Sequence, residues 1–142
     1  MEVSQVRRRL LAAIEQGKRG AQQRRERSAE AQRAYDLFLA DVAVPVGRMA
    51  ANALKAENHP FTLATPGGGV RLVSDMRRDD YIEIALDTTV DPPEVVGRIN
   101  YARGSRTVSD ERPVKPGAAP QAITEEDFLE FLAKALEPWF ER

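Results

Sequence analysis

Residues 61–101 read FTLATPGGGVRLVSDMRRDDYIEIALDTTVDPPEVVGRINY and carry the clearest structural signal in the chain. Apolar and polar side chains alternate in this segment, as they do in strands with one buried and one wet face. Turn-forming residues interrupt the alternation at 66–69, 76–80 and 91–93. Because the connections are short, we expect each alternating run to pair with the next one. The segment therefore predicts an antiparallel β-meander of four or five strands, with a short last strand over residues 106–109.

One face of this predicted sheet is apolar and must be covered. Its side chains, in the register that the alternation implies, are Phe61, Leu63, Val70, Leu72, Ile82, Ile84, Leu86, Val95, Ile99 and Tyr101. Two apolar stripes at helical spacing flank the sheet in the sequence. The upstream stripe is Tyr35, Phe38, Val42, Val46, Met49 and Ala53, and the downstream stripe is Phe128, Leu132, Ala135, Leu136 and Trp139. We therefore predict a two-layer α+β fold with the helices on one face of the sheet.

The upstream helix is long and contains a proline. Pro45 cannot donate the backbone hydrogen bond of a regular helix, but the apolar stripe continues past it. We therefore predict a long N-terminal helix that is kinked near Pro45 and that ends at Asn58, before Pro60. The downstream helix has the signature of a capping box, with Thr124 as the cap and Asp127 three residues later.

The first part of the long helix differs from the rest. Apolar residues recur near the N-terminus at Val3, Val6, Leu10 and Ile14, but none larger than Ala lies between Glu15 and Arg33. A helix without an apolar face is not held by the core of its own domain. We therefore predict a projecting basic helical arm over residues 1–33 and a two-layer α+β domain over residues 34–142.

Charge separates these two parts of the chain. Residues 1–33 contain nine Lys or Arg and four Asp or Glu, a net charge of +5, whereas residues 34–142 contain twelve and eighteen, a net charge of -6. The sum is the overall charge of -1 of the 142-residue chain. A basic arm of this kind attracts nucleic acid, an anionic surface or an acidic neighbouring protein.

The sequence argues against an enzyme. It has no cysteine, and His59 is its single histidine, next to a helix end where a polar residue is common. Five acidic residues cluster between 75 and 87, but they follow no metal-loop spacing and are expected in a solvated turn and on a wet strand face: Asp75, Asp79, Asp80, Glu83 and Asp87. We expect no catalytic site, no metal and no cofactor. We also expect a cytoplasmic protein with no membrane partner, since its apolar runs are short and no signal segment is evident.

Two hypotheses for function remain. In the first, the chain is a protein–protein interaction or assembly subunit that forms a homo-oligomer, in the simplest case a dimer, or docks on another protein through residues 1–33. Its partner-binding residues are then Val3, Val6, Leu10 and Ile14. In the alternative, the basic arm and an arginine-bearing sheet face bind nucleic acid. The contacts would then come from Arg7, Arg8, Arg24, Arg25, Arg98, Arg103 and Arg106.

Overall fold

A computed structural model describes residues 1–141. Its N-terminal half is one uninterrupted helical rod, which consists of α1 (Val3–Phe38), a π-helical turn (Leu39–Ala43) and α2 (Val44–Ala56). The helix therefore continues through Pro45 as predicted. In the π turn, the backbone N–H of Val44 donates to the carbonyl of Leu39, five residues earlier. This wider turn comes directly before Pro45, where a regular turn would bring the proline ring against a carbonyl.

The π turn changes which side chains of the rod face the core. The first part of the predicted stripe is correct, because Tyr35, Phe38 and Val46 are buried. The prediction is wrong for Met49 and Ala53, which are exposed. A π turn holds one residue more than an α turn, so the positions that follow it move by one. The buried residues of α2 are accordingly Val46, Gly47, Ala51 and Leu54.

The meander is confirmed, with five strands in the part of the chain that the structure describes. The strands are β1 (Phe61–Ala64), β2 (Val70–Ser74), β3 (Tyr81–Asp87), β4 (Glu94–Arg103) and β5 (Arg106–Pro113). Each pairs antiparallel with the next, so their order in the sheet is their order in the sequence. The last strand extends to Pro113, beyond the short segment expected at 106–109.

Helices cover one face of this sheet, as predicted. A 3-10 turn (Pro120–Ala122) leads to α3 (Glu125–Ala135) and to the short α4 (Glu137–Phe140). The capping box of α3 is present, with Asp127 N–H donating to the Thr124 hydroxyl. On the other side of the core, the Tyr35 hydroxyl donates to the Ile84 carbonyl at 3.2 Å, and burial raises the pKa of Tyr35 to about 12. The rod and α3 therefore both pack on the sheet.

Two buried contacts of the C-terminal helices join residues that are distant in the sequence. The Phe131 ring lies over Gly97 of β4, so close that a Cβ added to Gly97 would be 2.1 Å from Phe131 Cζ. Trp139 Nε1 donates to the carboxylate of Asp80 at 3.1 Å, and the Ala102 amide donates to the same carboxylate at 2.9 Å. Asp80 is only 1% exposed. The expectation that Asp80 lies in a solvated turn is therefore wrong.

Candidate interaction site on the N-terminal arm

Apolar side chains of the N-terminal arm are open to solvent. Residues 1–19 are exposed at every position. Besides Met1, five of them are large and apolar and are here called the N-terminal stripe: Val3 (84% exposed), Val6 (40%), Leu10 (60%), Leu11 (50%) and Ile14 (52%). Four of these are the predicted partner-binding residues, and Leu11 widens the surface. Because α1 is regular here, it presents them over about three helical turns.

The two-layer domain over residues 34–142 is here called the body, and it first contacts the arm at Arg27. The Arg27 guanidinium donates two hydrogen bonds, of 3.1 and 2.8 Å, to the Asp91 carboxylate in the loop before β4. This pairing raises the pKa of Arg27 and lowers the pKa of Asp91, chiefly through the hydrogen bonds. One turn later, Ala31 lines a shallow cleft with Pro92 and Pro120. The freely projecting part of α1 is therefore shorter than the basic segment 1–33.

The arginines of the arm do not form one basic stripe. Arg7, Arg8, Arg24 and Arg25 are all exposed. At 3.6 residues per turn, Arg7 and Arg25 point to the same side of the helix, whereas Arg8 and Arg24 point to other sides. A helix that follows the backbone of a nucleic acid needs its cations on one side. The arm instead carries a general positive charge around its apolar stripe.

The sheet face that holds Arg98 has mixed charge. The register of β2 to β5 aligns four charged residues of alternating sign across the sheet: Arg71, Glu83, Arg98 and Glu111. Arg71 forms an ion pair with Glu83, and Arg98 Nε lies 3.6 Å from a Glu111 carboxylate oxygen. The carboxylates therefore neutralise the arginines of this face, and it is not a basic surface.

Arg103 and Arg106 lie elsewhere, at the end of the sheet. They are cross-strand partners next to the β4–β5 turn. The β2–β3 turn is at the same end, so Arg77 and Arg103 line one open cavity of about 440 Å³ beside Tyr101. Sequence reasoning did not group Arg77 with this set. The signal was available, because in a meander the second and fourth turns lie at the same edge of the sheet.

His59 and the acidic residues that the sequence offered as candidates for catalysis or metal binding have contacts that belong to the fold. The His59 ring contacts the Phe140 ring edge-on, with 5.2 Å between the centroids, and its backbone N–H donates to the Leu54 carbonyl. This bond closes α2 in a Schellman motif, with Asn58 in the left-handed conformation as the predicted terminator. Within residues 1–141, no three side chains of His, Asp or Glu are placed to hold a metal ion.

Comparison with known proteins adds no assignment. No protein-family model, no curated protein and no solved structure matches the chain. By length and composition, the helix Val3–Ala56 includes an 18-residue window apolar enough to cross a membrane, with mean hydropathy 1.3 and 33% of the window buried. Core helices of soluble proteins have the same property.

Proposed function

We propose that the protein is a non-enzymatic assembly subunit that associates with a protein partner, in the first place a second copy of itself, through its N-terminal arm. The observation that carries this proposal is the N-terminal stripe, in which five large apolar side chains are each at least 40% exposed. Contiguous exposed apolar surface of this kind marks interaction sites, because water solvates it poorly. Isolated short helices are marginal in water, and a partner that covers this segment also stabilises it.

The spacing of the stripe suits packing against another helix. Val3, Val6, Leu10 and Ile14 follow the three- and four-residue steps of a helix–helix seam. Residues 16–32 contain no apolar side chain larger than Ala and do not continue this seam. The contact area is therefore small. Such a contact holds two chains together only if further apolar or charged groups surround it.

Light scattering tests this proposal with a matched pair of variants. The double substitution Leu10→Asp and Ile14→Asp places two charges in the stripe, and we expect it to give the monomer mass of 15.8 kDa. The control is Ala12→Asp with Gln16→Asp, which adds two acids at the same spacing on the opposite side of the helix. We expect the wild type and the control to have at least twice the monomer mass. A monomeric wild type, or an unchanged mass in the stripe variant, contradicts the proposal.

A second candidate function is nucleic-acid binding at the end of the sheet. The observation in its favour is the cavity that Arg77 and Arg103 line beside the half-buried ring of Tyr101, since cations next to an aromatic ring suit a phosphate and a stacked base. The test is the affinity for random single-stranded RNA and DNA at increasing salt. If this function is correct, Arg103→Ala with Arg106→Ala weakens binding and reduces the salt dependence. Absence of binding at low salt by the wild type excludes it.

A further inference from the structure

We infer that the N-terminal stripe of one chain docks on the outer side of α3 in a second copy of the chain. This inference rests on the proposed function and names the receiving surface. That surface, here called the α3 acidic face, consists of Glu126, Leu129, Glu130 and Ala133 of α3 and of Glu137 at the start of α4, all exposed. Leu129 is 53% exposed at one edge of this face, and Phe140, 47% exposed, follows at the end of α4.

The charges around the two apolar surfaces are complementary. Residues 3–19 contain five Lys or Arg and one Glu, a net charge of +4, whereas residues 125–141 contain six Asp or Glu and one Lys, a net charge of -5. On an ideal helix, Arg7 points between Ile14 and Leu11 of the N-terminal stripe, and Arg9 lies beyond Val6 at the other side. On α3, Glu126 and Glu130 both lie to the same side of Leu129. A contact between the stripe and Leu129 therefore brings arginines of one chain beside glutamates of the other, next to the apolar pair.

The acidic residues of α3 are available for such a contact. Glu130 forms an ion pair with Lys134 at 3.3 Å, but both side chains are about two-thirds exposed, and an exposed pair within one helix is weak. Asp127, by contrast, is used within the chain, because it caps α3 and binds Lys115. The α3 acidic face therefore retains most of its negative charge after the contacts within the chain are formed.

Other surfaces suit the arm less well. If two arms packed on each other, the arginines at 7–9 of both chains would lie close together. Repulsion between these like charges disfavours such a contact. Among the described residues of the body, four other large apolar side chains are exposed: Leu37, Met49, Met76 and Val90. Arg48 and Arg77 are the sequence neighbours of the two methionines, and Arg33 lies one turn before Leu37. The acid next to Val90 is Asp91, which already pairs with Arg27 of its own chain. Leu129 is the exposed apolar side chain of the body that lies among glutamates on one helix face.

The receiving surface must belong to a second chain. The helix is continuous from Val3 to the contact at Arg27, so this segment is about 36 Å long at 1.5 Å per residue. A rod of that length carries the stripe away from α3 of its own body. When two chains exchange arms, each contributes one arm and one receiving face, and the assembly closes as a dimer.

A charge exchange between the two surfaces tests this inference. The substitutions Glu126→Arg and Glu130→Arg, or alternatively Arg7→Glu and Arg9→Glu, place like charges in the contact. We expect each pair to weaken self-association by about tenfold or more in sedimentation equilibrium. We expect the protein with all four substitutions to associate again, because its charges are again opposite. This recovery also shows that the substituted chains are folded.

A charge-matched control removes the general effect of net charge. Glu57→Arg with Asp79→Arg changes the charge of the body by the same amount at two exposed positions outside α3, and we expect wild-type association. If Glu126→Arg with Glu130→Arg leaves association unchanged while Leu10→Asp with Ile14→Asp abolishes it, the inference is overturned and the proposed function stands. Failure of the four substitutions to restore association also overturns the inference. A wild type that stays monomeric and binds anionic lipid vesicles overturns both.

Discussion

Gly97 shows how one missing side chain sets the distance between a helix and the sheet. The Phe131 ring occupies the position that a Cβ would take, with Cζ 2.1 Å and Cε1 2.8 Å from it. We predict that Gly97→Ala lowers the free energy of unfolding by about 1–3 kcal/mol, because α3 or the ring must move away from β4. Urea unfolding monitored by circular dichroism measures this change.

The control for this substitution is a glycine in a turn that connects two strands of the same sheet. Gly67→Ala lies in the β1–β2 turn with no atom within 4 Å of its added Cβ, so we expect an unfolding midpoint close to that of the wild type. In the Gly97→Ala protein, Phe131→Leu removes part of the overlap and should recover part of the stability. A Gly97→Ala protein as stable as the wild type contradicts the packing described here.

The capping box of α3 makes this element sensitive to acid. The Asp127 carboxylate accepts hydrogen bonds from the Thr124 amide at 3.0 Å and from Lys115 Nζ at 2.9 Å. These bonds, the Thr124 amide first, lower the pKa of Asp127 from 3.8 to about 2. A lowered pKa means that the unfolded chain binds a proton before the folded chain does. The stabilisation is therefore present above pH 3.8 and lost as the pH falls towards 2.

We predict that Asp127→Asn makes the unfolding free energy less dependent on pH across this range. The wild type should lose stability steeply between about pH 4 and pH 2, and the variant less steeply. A slope remains in the variant, because hydrogen bonds also lower the pKa values of Asp87 and Asp91. Urea titrations at several pH values give both slopes, and equal slopes for the two proteins contradict the role of Asp127.

At the scale of the whole molecule, the body and the projecting part of α1 are expected to be independent in stability. Residues 1–19 are exposed, and the first contact with the body is the half-exposed pair of Arg27 and Asp91. We predict that a chain beginning at Ser28 folds with one cooperative thermal transition, because the core residues of the rod begin at Tyr35. Under the proposed function, this chain is monomeric.

Circular dichroism and differential scanning calorimetry check the truncated chain. We expect the strand signal to be retained and the helical signal to fall by the contribution of the deleted residues. The full-length protein is the control, measured at a concentration at which it is monomeric, so that association does not add to its apparent stability. A truncated chain without a cooperative transition shows that residues before Ser28 are needed for folding.

Local patterns were sufficient for most elements of this protein and for the exposed apolar stripe of the arm. The alternation from Phe61 to Tyr101 indicated the meander, since successive side chains of a strand point to opposite faces. Thr124 and Asp127 indicated the start of α3, because a cap involves residues only three positions apart. The spacing of Val3, Val6, Leu10 and Ile14 marked the stripe. Each of these signals lies within a few neighbouring residues, and the sequence contains it directly.

Contacts between distant residues had no such signal. The π turn moved the core-facing positions of α2 by one residue, so that Leu54 is buried where Ala53 was expected. The extra residue of a π turn has no local sequence signal, because packing of the helix on the core decides where the turn forms. Asp80 became buried through Trp139, 59 positions away in the sequence, and local polarity had indicated a solvated turn. Periodicity reports which face a residue takes within its own element, whereas burial depends on which other element covers that face.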